Sequence, residues 1–173
     1  MRFQHIVYRA LDPASDLDPL SGEGARASGN RFNRQGVPAL YTSLDVLTAL
    51  REFAQDTSRL QPTLLVTIEI DIAPVFDATD HDLLAARGVT MDQLSAEDWR
   101  DTTDPAGRPE TQTFARRLID DGFAGLLAPS FCAGSARSDR NLVLWNWGAN
   151  PPTRAHLVDD DERLVGREHR PRR

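Results

Sequence analysis

The chain has 173 residues, 40% of them hydrophobic and 27% charged, with a formal net charge of −6, which suits one globular domain with a sizeable core and argues against generic nucleic-acid binding. No apolar run approaches the roughly 20 residues that span a bilayer, and the N-terminus turns polar too soon for a signal peptide. All 20 basic residues are arginine and the single cysteine is Cys132, so P-loop or Schiff-base lysine chemistry, a disulfide framework and a cysteine-based zinc site are excluded, while a reducing cytoplasm is the expected location.

In chain order, Gln4–Arg9 reads as a β-branched and aromatic strand that Asp12-Pro13 ends. Arg9 lies at its end, placed either for a surface ion pair or to point into a cleft. Residues 10–38 form a long irregular connection with Arg26, Arg31 and Arg34 among Gly22, Gly24, Gly29 and Gly36. Loops of this length inside a domain are usually functional or disordered, and the glycine and arginine content here favours function. Glycine lets a backbone approach a ligand closely, and arginine offers a planar fork of donors that matches phosphate. Residues 38–42 read as a strand. Ser43 is the expected N-cap of a helix running to about Gln55. Val46, Leu47, Leu50, Phe53 and Ala54 share its apolar face, so helical phase puts Glu52 almost opposite, near Asp45, Thr48 and Asp56. On this pattern alone Glu52 is a solvated glutamate, and it gains a role only if the polar face lines a cleft.

Leu64–Ile72 alternates apolar and polar residues and is the clearest strand. Val75–Asp77 is a further short strand. Helices follow at Asp80–Arg87, closed by Gly88, and from a Thr90 cap toward Leu94. Trp99 is an expected anchor in the polar stretch 95–109, which turns at residues 104–107. Thr111–Asp121 reads as a helix with Phe114, Ala115, Leu118 and Ile119 inward. Strands are expected at Phe123–Ala128, Asn141–Trp145 and Thr153–Val158. From Asp71 to Asp121 twelve acidic residues face five arginines, a net of −7, whereas Leu164–Arg173 carries four arginines against one glutamate, a net of +3. The mixture of strands and short helices without regular βαβ alternation points to an α+β fold.

No nucleophile elbow, Walker A loop or complete dinucleotide fingerprint is present. The four histidines show no metal-ligand spacing, so no metal is expected. Nothing places a histidine or carboxylate beside Cys132, which reads as a buried structural thiol. What remains is an arginine-rich loop, a tyrosine, a glutamate and a serine in separate segments. Such a set suits cleavage of a glycosidic bond next to a pyrophosphate. A carboxylate can stabilise an oxocarbenium-like ribose, arginines can hold the phosphates, and an aromatic ring can stack on the departing base.

Five pieces in order carry a resemblance over residues 7–145. They are Tyr8-Arg9; Gly29-Asn30-Arg31-Phe32-Asn33, with Phe32 where a tryptophan is usual; Pro38-Ala39-Leu40-Tyr41 with the helix that carries Glu52; Gly125 to Ser130, followed by Phe131 rather than the usual alanine; and Asn141 to Trp145. The segment Leu20–Arg26 is also found in some members. Together they resemble the RES domain family, named for an arginine, a glutamate and a serine, whose members are toxins of bacterial toxin–antitoxin pairs that deplete NAD. The resemblance implies an ADP-ribosyltransferase-like fold, with a split, bent β core and surrounding helices. Residues 1–160 would be an NAD-binding catalytic domain and residues 161–173 a basic tail. It implies that Arg31, Glu52 and Tyr41 act in catalysis and that Tyr8, Arg9, Arg31, Asn33, Tyr41 and Ser130 bind NAD. The acceptor is left open between water, inorganic phosphate and a protein side chain, and a non-catalytic nucleotide-binding module is a further alternative. The expected partner is an Xre-like helix-turn-helix antitoxin, which would make the DNA contacts.

Overall fold

The computed structural model describes residues 1–14, 18–54, 61–101, 103–104 and 106–164. Gln55 and Asp56, at the expected end of the helix bearing Glu52, and residues 165–173 of the basic tail lie outside them. Twelve elements follow one another: β1 (Phe3–Leu11), α1 (Glu23–Ser28), β2 (Leu40–Ser43), α2 (Val46–Ala54), β3 (Leu64–Ile72), β4 (Val75–Asp77), α3 (His81–Ala86), α4 (Met91–Ser95), α5 (Glu110–Asp120), β5 (Gly125–Pro129), β6 (Arg140–Leu144) and β7 (Thr153–Leu157).

The strands form one sheet in the order β4-β5-β6-β2-β1-β3-β7. β3 alternates as its sequence implies, burying Val66, Ile68, Ile70 and Ile72. β1 is longer than its composition suggests because it pairs with β3 along its full length, from Phe3 opposite Ile72 to Leu11 opposite Leu64. β2 pairs with β6, and β6 with β5. Between β1 and β2, however, there is a single pair, Tyr8 with Ser43. The sheet is therefore two halves, β4-β5-β6-β2 and β1-β3-β7, joined at one residue step.

The side chains show how the halves sit. Val7, Ile68, Ile70 and Ala155 from the second half share one apolar cluster with Leu40, Leu127, Leu142 and Leu144 from the first. Side chains of both halves thus form one continuous apolar layer across the junction of β1 and β2. The opposite face of the first half is covered by α5, whose Phe114, Ala115 and Leu118 follow helical spacing and pack with Phe76, Leu126 and Val143. Phe76 meets Phe114 and Phe123 edge-on, with ring centroids 5.6 and 5.5 Å apart. β5 carries both clusters, Leu126 and Ala128 on one face and Leu127 on the other. The result is an α+β fold with the split, bent β core of an ADP-ribosyltransferase-like architecture.

Two expectations about the second helix are corrected. Ser43 belongs to β2, and Asp45 caps α2, accepting from the backbone N–H of Thr48 at 2.9 Å and from its hydroxyl. The buried face is not the apolar stripe. Thr48 is 0% and Ala49 4% exposed, while Leu47 is 61% exposed. Small side chains let α2 lie close on β1 and β2, and this rotates Glu52 toward the split. The long connection also contains α1, a six-residue helix whose N-cap Gly22 makes no side-chain cap.

Candidate active site

The split in the sheet is a cavity of about 420 Å³. Past the single Tyr8–Ser43 pair the strands part, and Tyr8, Arg9 and Ala10 of β1 face Tyr41, Thr42 and Ser43 of β2 across the gap. α2 adds Ala49, Glu52 and Phe53 to the wall, the loop after α1 adds Arg31 and Phe32, β6 adds Asn141 and Val143, and Trp99, Arg100 and Phe131 lie on it as well. Among the described residues three arginines and one glutamate line the cavity, a local balance of +2 in a chain of −6. Such a pocket favours an anionic ligand.

Glu52 is held by a chain of donors. Ser130 Oγ donates to its Oε1 at 2.6 Å and Asn141 Nδ2 to the same oxygen at 2.5 Å. Ser130 has one hydroxyl proton, so the 2.7 Å contact between its Oγ and Ser135 is donated by Ser135. Asn141 in turn accepts from Ser43 Oγ at 2.7 Å. The carboxylate orientation is thus set from β2, β6 and the loop after β5. Ser130 itself is not on the cavity wall; it reaches the site through Glu52.

Arg31 donates through Nη1 to the carbonyls of Leu94 and Ala96, at 2.7 and 2.8 Å. Its guanidinium lies over Phe131 at 5.0 Å and Trp99 at 5.5 Å. Burial lowers its pKa, opposed by the charge of Glu52 and reinforced by that of Arg100, and it remains a cation at neutral pH. Arg9 spends Nη1 on the carbonyls of Pro19 and Ser21, at 2.7 and 2.9 Å, tying the loop to β1.

Tyr41 lies on the cavity wall, and Asn33 lies behind it in the loop. The Tyr41 ring lines the cavity, but its hydroxyl is turned into the loop, donating to Asn33 Oδ1 at 2.8 Å and accepting from Phe32 N–H at 3.0 Å. Burial pushes the phenol pKa well above its ordinary value, with smaller opposing contributions from the Phe32 N–H and Arg31. The folded phenol therefore keeps its proton where an unfolded tyrosine loses it. Stability should fall as pH rises above about 10, and Tyr41→Phe should flatten that fall in a series of denaturant unfolding curves.

Asn33 is 2% exposed and does not line the cavity. Its Nδ2 donates to the carbonyls of Ala25 and Val37, both at 2.8 Å. The side chain is consumed in closing the loop, which corrects its expected place on the ligand. Asn33→Ala should cost about 2–4 kcal/mol in urea unfolding, because several buried polar groups lose their partners. A residue that only contacted ligand would leave stability unchanged.

The glycines serve the loop more than a ligand. A Cβ on Gly22 would lie 2.6 Å from Trp147 Cη2, and Gly29 ends α1 at a φ of 67°. Cys132 is buried, its Sγ donates to the Arg51 carbonyl at 3.4 Å, and burial followed by the charge of Glu52 raises its pKa, the opposite of an activated nucleophile. Among the described residues no group of three or more His, Cys, Asp or Glu could hold a metal ion, and no helix is long and apolar enough to cross a membrane.

Sequence reasoning passed over Asn141, Ser43, Ser135 and Arg100. Asn141 interrupts an apolar strand, which is a signal, but its link to Glu52 depends on the register that sets Ser43 opposite Asn141.

The sequence model of the RES domain matches residues 6–166. The chain belongs to the RES domain family. Among solved structures, this RES domain is similar to the crystal structure of the M. tuberculosis MbcT–MbcA toxin–antitoxin complex, with 25% identity, a TM-score of 0.69, and coverage of 92% of this chain and 84% of that one. Curated proteins give no match. Of the residues that the sequence resemblance singled out, Ser130 and Glu52 are joined directly by a hydrogen bond.

Proposed function

We propose that this RES domain is the toxin of a toxin–antitoxin pair and that it cleaves the nicotinamide–ribose bond of NAD+. The observation that carries the reading is Glu52, oriented by Ser130 and Asn141 on the wall of a cavity whose other charged side chains are Arg9, Arg31 and Arg100. The arginines suit the diphosphate of the dinucleotide. The Tyr8 and Tyr41 rings offer surfaces for the nicotinamide ring and ribose.

In the reaction the C1′–N bond breaks and its electron pair returns to the pyridinium ring, so nicotinamide leaves as a neutral base. No acid is needed for that departure, in keeping with a Tyr41 hydroxyl turned away from the cavity. The ribosyl cation left behind is stabilised by the Glu52 carboxylate. Water then gives ADP-ribose and a proton, while orthophosphate gives ADP-ribose 1″-phosphate. The proposed catalytic unit is residues 1–160, and the proposed antitoxin is an Xre-like helix-turn-helix protein that supplies the DNA contacts an acidic chain does not favour.

The test is to incubate the purified chain with NAD+, with and without orthophosphate, and to identify the sugar product. Nicotinamide release with ADP-ribose 1″-phosphate identifies phosphorolysis, and release with ADP-ribose identifies hydrolysis. Release only when a target protein is added overturns the reading in favour of protein modification.

A further inference from the structure

Arg100 is the one arginine among the described residues of the cavity wall that lies outside the segments carrying the sequence resemblance. It is exposed, and its guanidinium lies 4.4 Å from the centre of the Trp99 ring. The Arg31 guanidinium lies 5.5 Å from the same ring, so one indole holds both. Trp99 is 7% exposed and makes a fixed support. The position of Arg100 is further set by Arg31, whose bonds to the Leu94 and Ala96 carbonyls hold the segment leading to it.

Acidic residues are plentiful here, and guanidiniums elsewhere use them, as Arg51 does with Asp139 and Arg116 with Asp120. Arg100 stands between Asp98 and Asp101 in the sequence, yet among the described residues it makes no ion pair or hydrogen bond. Two like charges are thus gathered on one aromatic support at a cavity wall, and their repulsion adds to the effect of burial in lowering the Arg31 pKa. An anion bound at Arg100 offsets that repulsion and meets an exposed donor fork.

We propose that Arg100, with Trp99 and Arg31, is a phosphate clamp at the solvent side of the cavity. The shared chemistry is a phosphate dianion or diphosphate, held either as part of the dinucleotide or as the free orthophosphate acceptor. This deepens, and rests on, the reading of the cavity as a dinucleotide site.

The test is calorimetric binding of ADP and, separately, of orthophosphate to the wild-type chain and to Arg100→Gln, which needs no turnover. ADP weakened by about tenfold with orthophosphate unchanged assigns the clamp to the dinucleotide, and the converse assigns it to the acceptor. Both ligands binding the variant as they bind the wild type overturns the clamp, as does an Arg100→Gln protein that loses its native unfolding transition. Nicotinamide release is measured in parallel. Phosphate binding lost in Arg100→Gln, with no nicotinamide released by the wild-type chain, keeps the clamp and removes the NAD-cleaving reading. Release with unchanged binding removes the clamp alone.

Discussion

Replacing Glu52 with glutamine should lower the rate of nicotinamide release by on the order of a thousandfold while leaving the fold intact. The expectation follows from what the carboxylate does and what it touches. Ser130 and Asn141 both donate to Oε1, and a glutamine carbonyl can accept the same two hydrogen bonds. The supporting chain from Ser43 and Ser135 is therefore kept, and stability should stay within about 0.5 kcal/mol of the wild type. The negative charge opposite the ribosyl cation is what disappears, so kcat should fall far more than KM changes. A variant that retains turnover within tenfold would assign the charge stabilisation to another group.

Arg31→Lys keeps the charge and should still lower kcat/KM by about a hundredfold. Nη1 of Arg31 serves two carbonyls while the guanidinium lies over the Trp99 and Phe131 rings. A lysine ammonium is a point charge without a flat face, so it cannot keep these ring contacts and still offer a fork to a phosphate. The loss should extend to structure. Amide hydrogen exchange should accelerate in the segment around Leu94–Arg100, because its two anchoring bonds come from this side chain. Unchanged exchange with unchanged kcat/KM would show that Arg31 neither anchors the segment nor binds substrate.

Much of the fold is legible in the sequence where a local pattern decides it. β3 reads from its alternation, α5 from its helical spacing, and the Thr90–Gln93 capping box starts α4 where its residues say. The start of α2 shows the limit. Ser43 has the right chemistry for an N-cap, but its hydroxyl is taken by Asn141 across the sheet, and Asp45, two residues on, serves instead. The phase of α2 misleads for a related reason. Apolar moment predicts a core-facing stripe, whereas the sheet accepts only small residues at close range and the split needs a carboxylate. α1 escapes because six residues with Gly24 inside carry almost no periodic signal.

The candidate site is legible only through a resemblance, and then unevenly. Arg9, Arg31, Tyr41 and Glu52 all reach the cavity, though they come from β1, a loop, β2 and α2. No spacing along the chain announces that meeting; it depends on β1 and β2 being joined at one pair and then parting. Asn33 and the Tyr41 hydroxyl lie within the same motif but serve the loop. A signature thus mixes residues that face a ligand with residues that hold the facing ones in place, and only three-dimensional contacts separate them. Asn141 illustrates the converse, a residue outside the named triad that touches Glu52 as closely as Ser130 does.

On the proposed function, the split between β1 and β2 presents the nicotinamide–ribose bond of NAD+ to Glu52. The most direct test is the crystal structure of the Glu52→Gln protein with NAD+, in which the dinucleotide should survive intact. The nicotinamide ribose should lie in the split, its C1′ facing residue 52, with the diphosphate toward the cavity arginines. NAD+ bound elsewhere on the molecule, or seated in the split with the nicotinamide ribose turned away from residue 52, would contradict it.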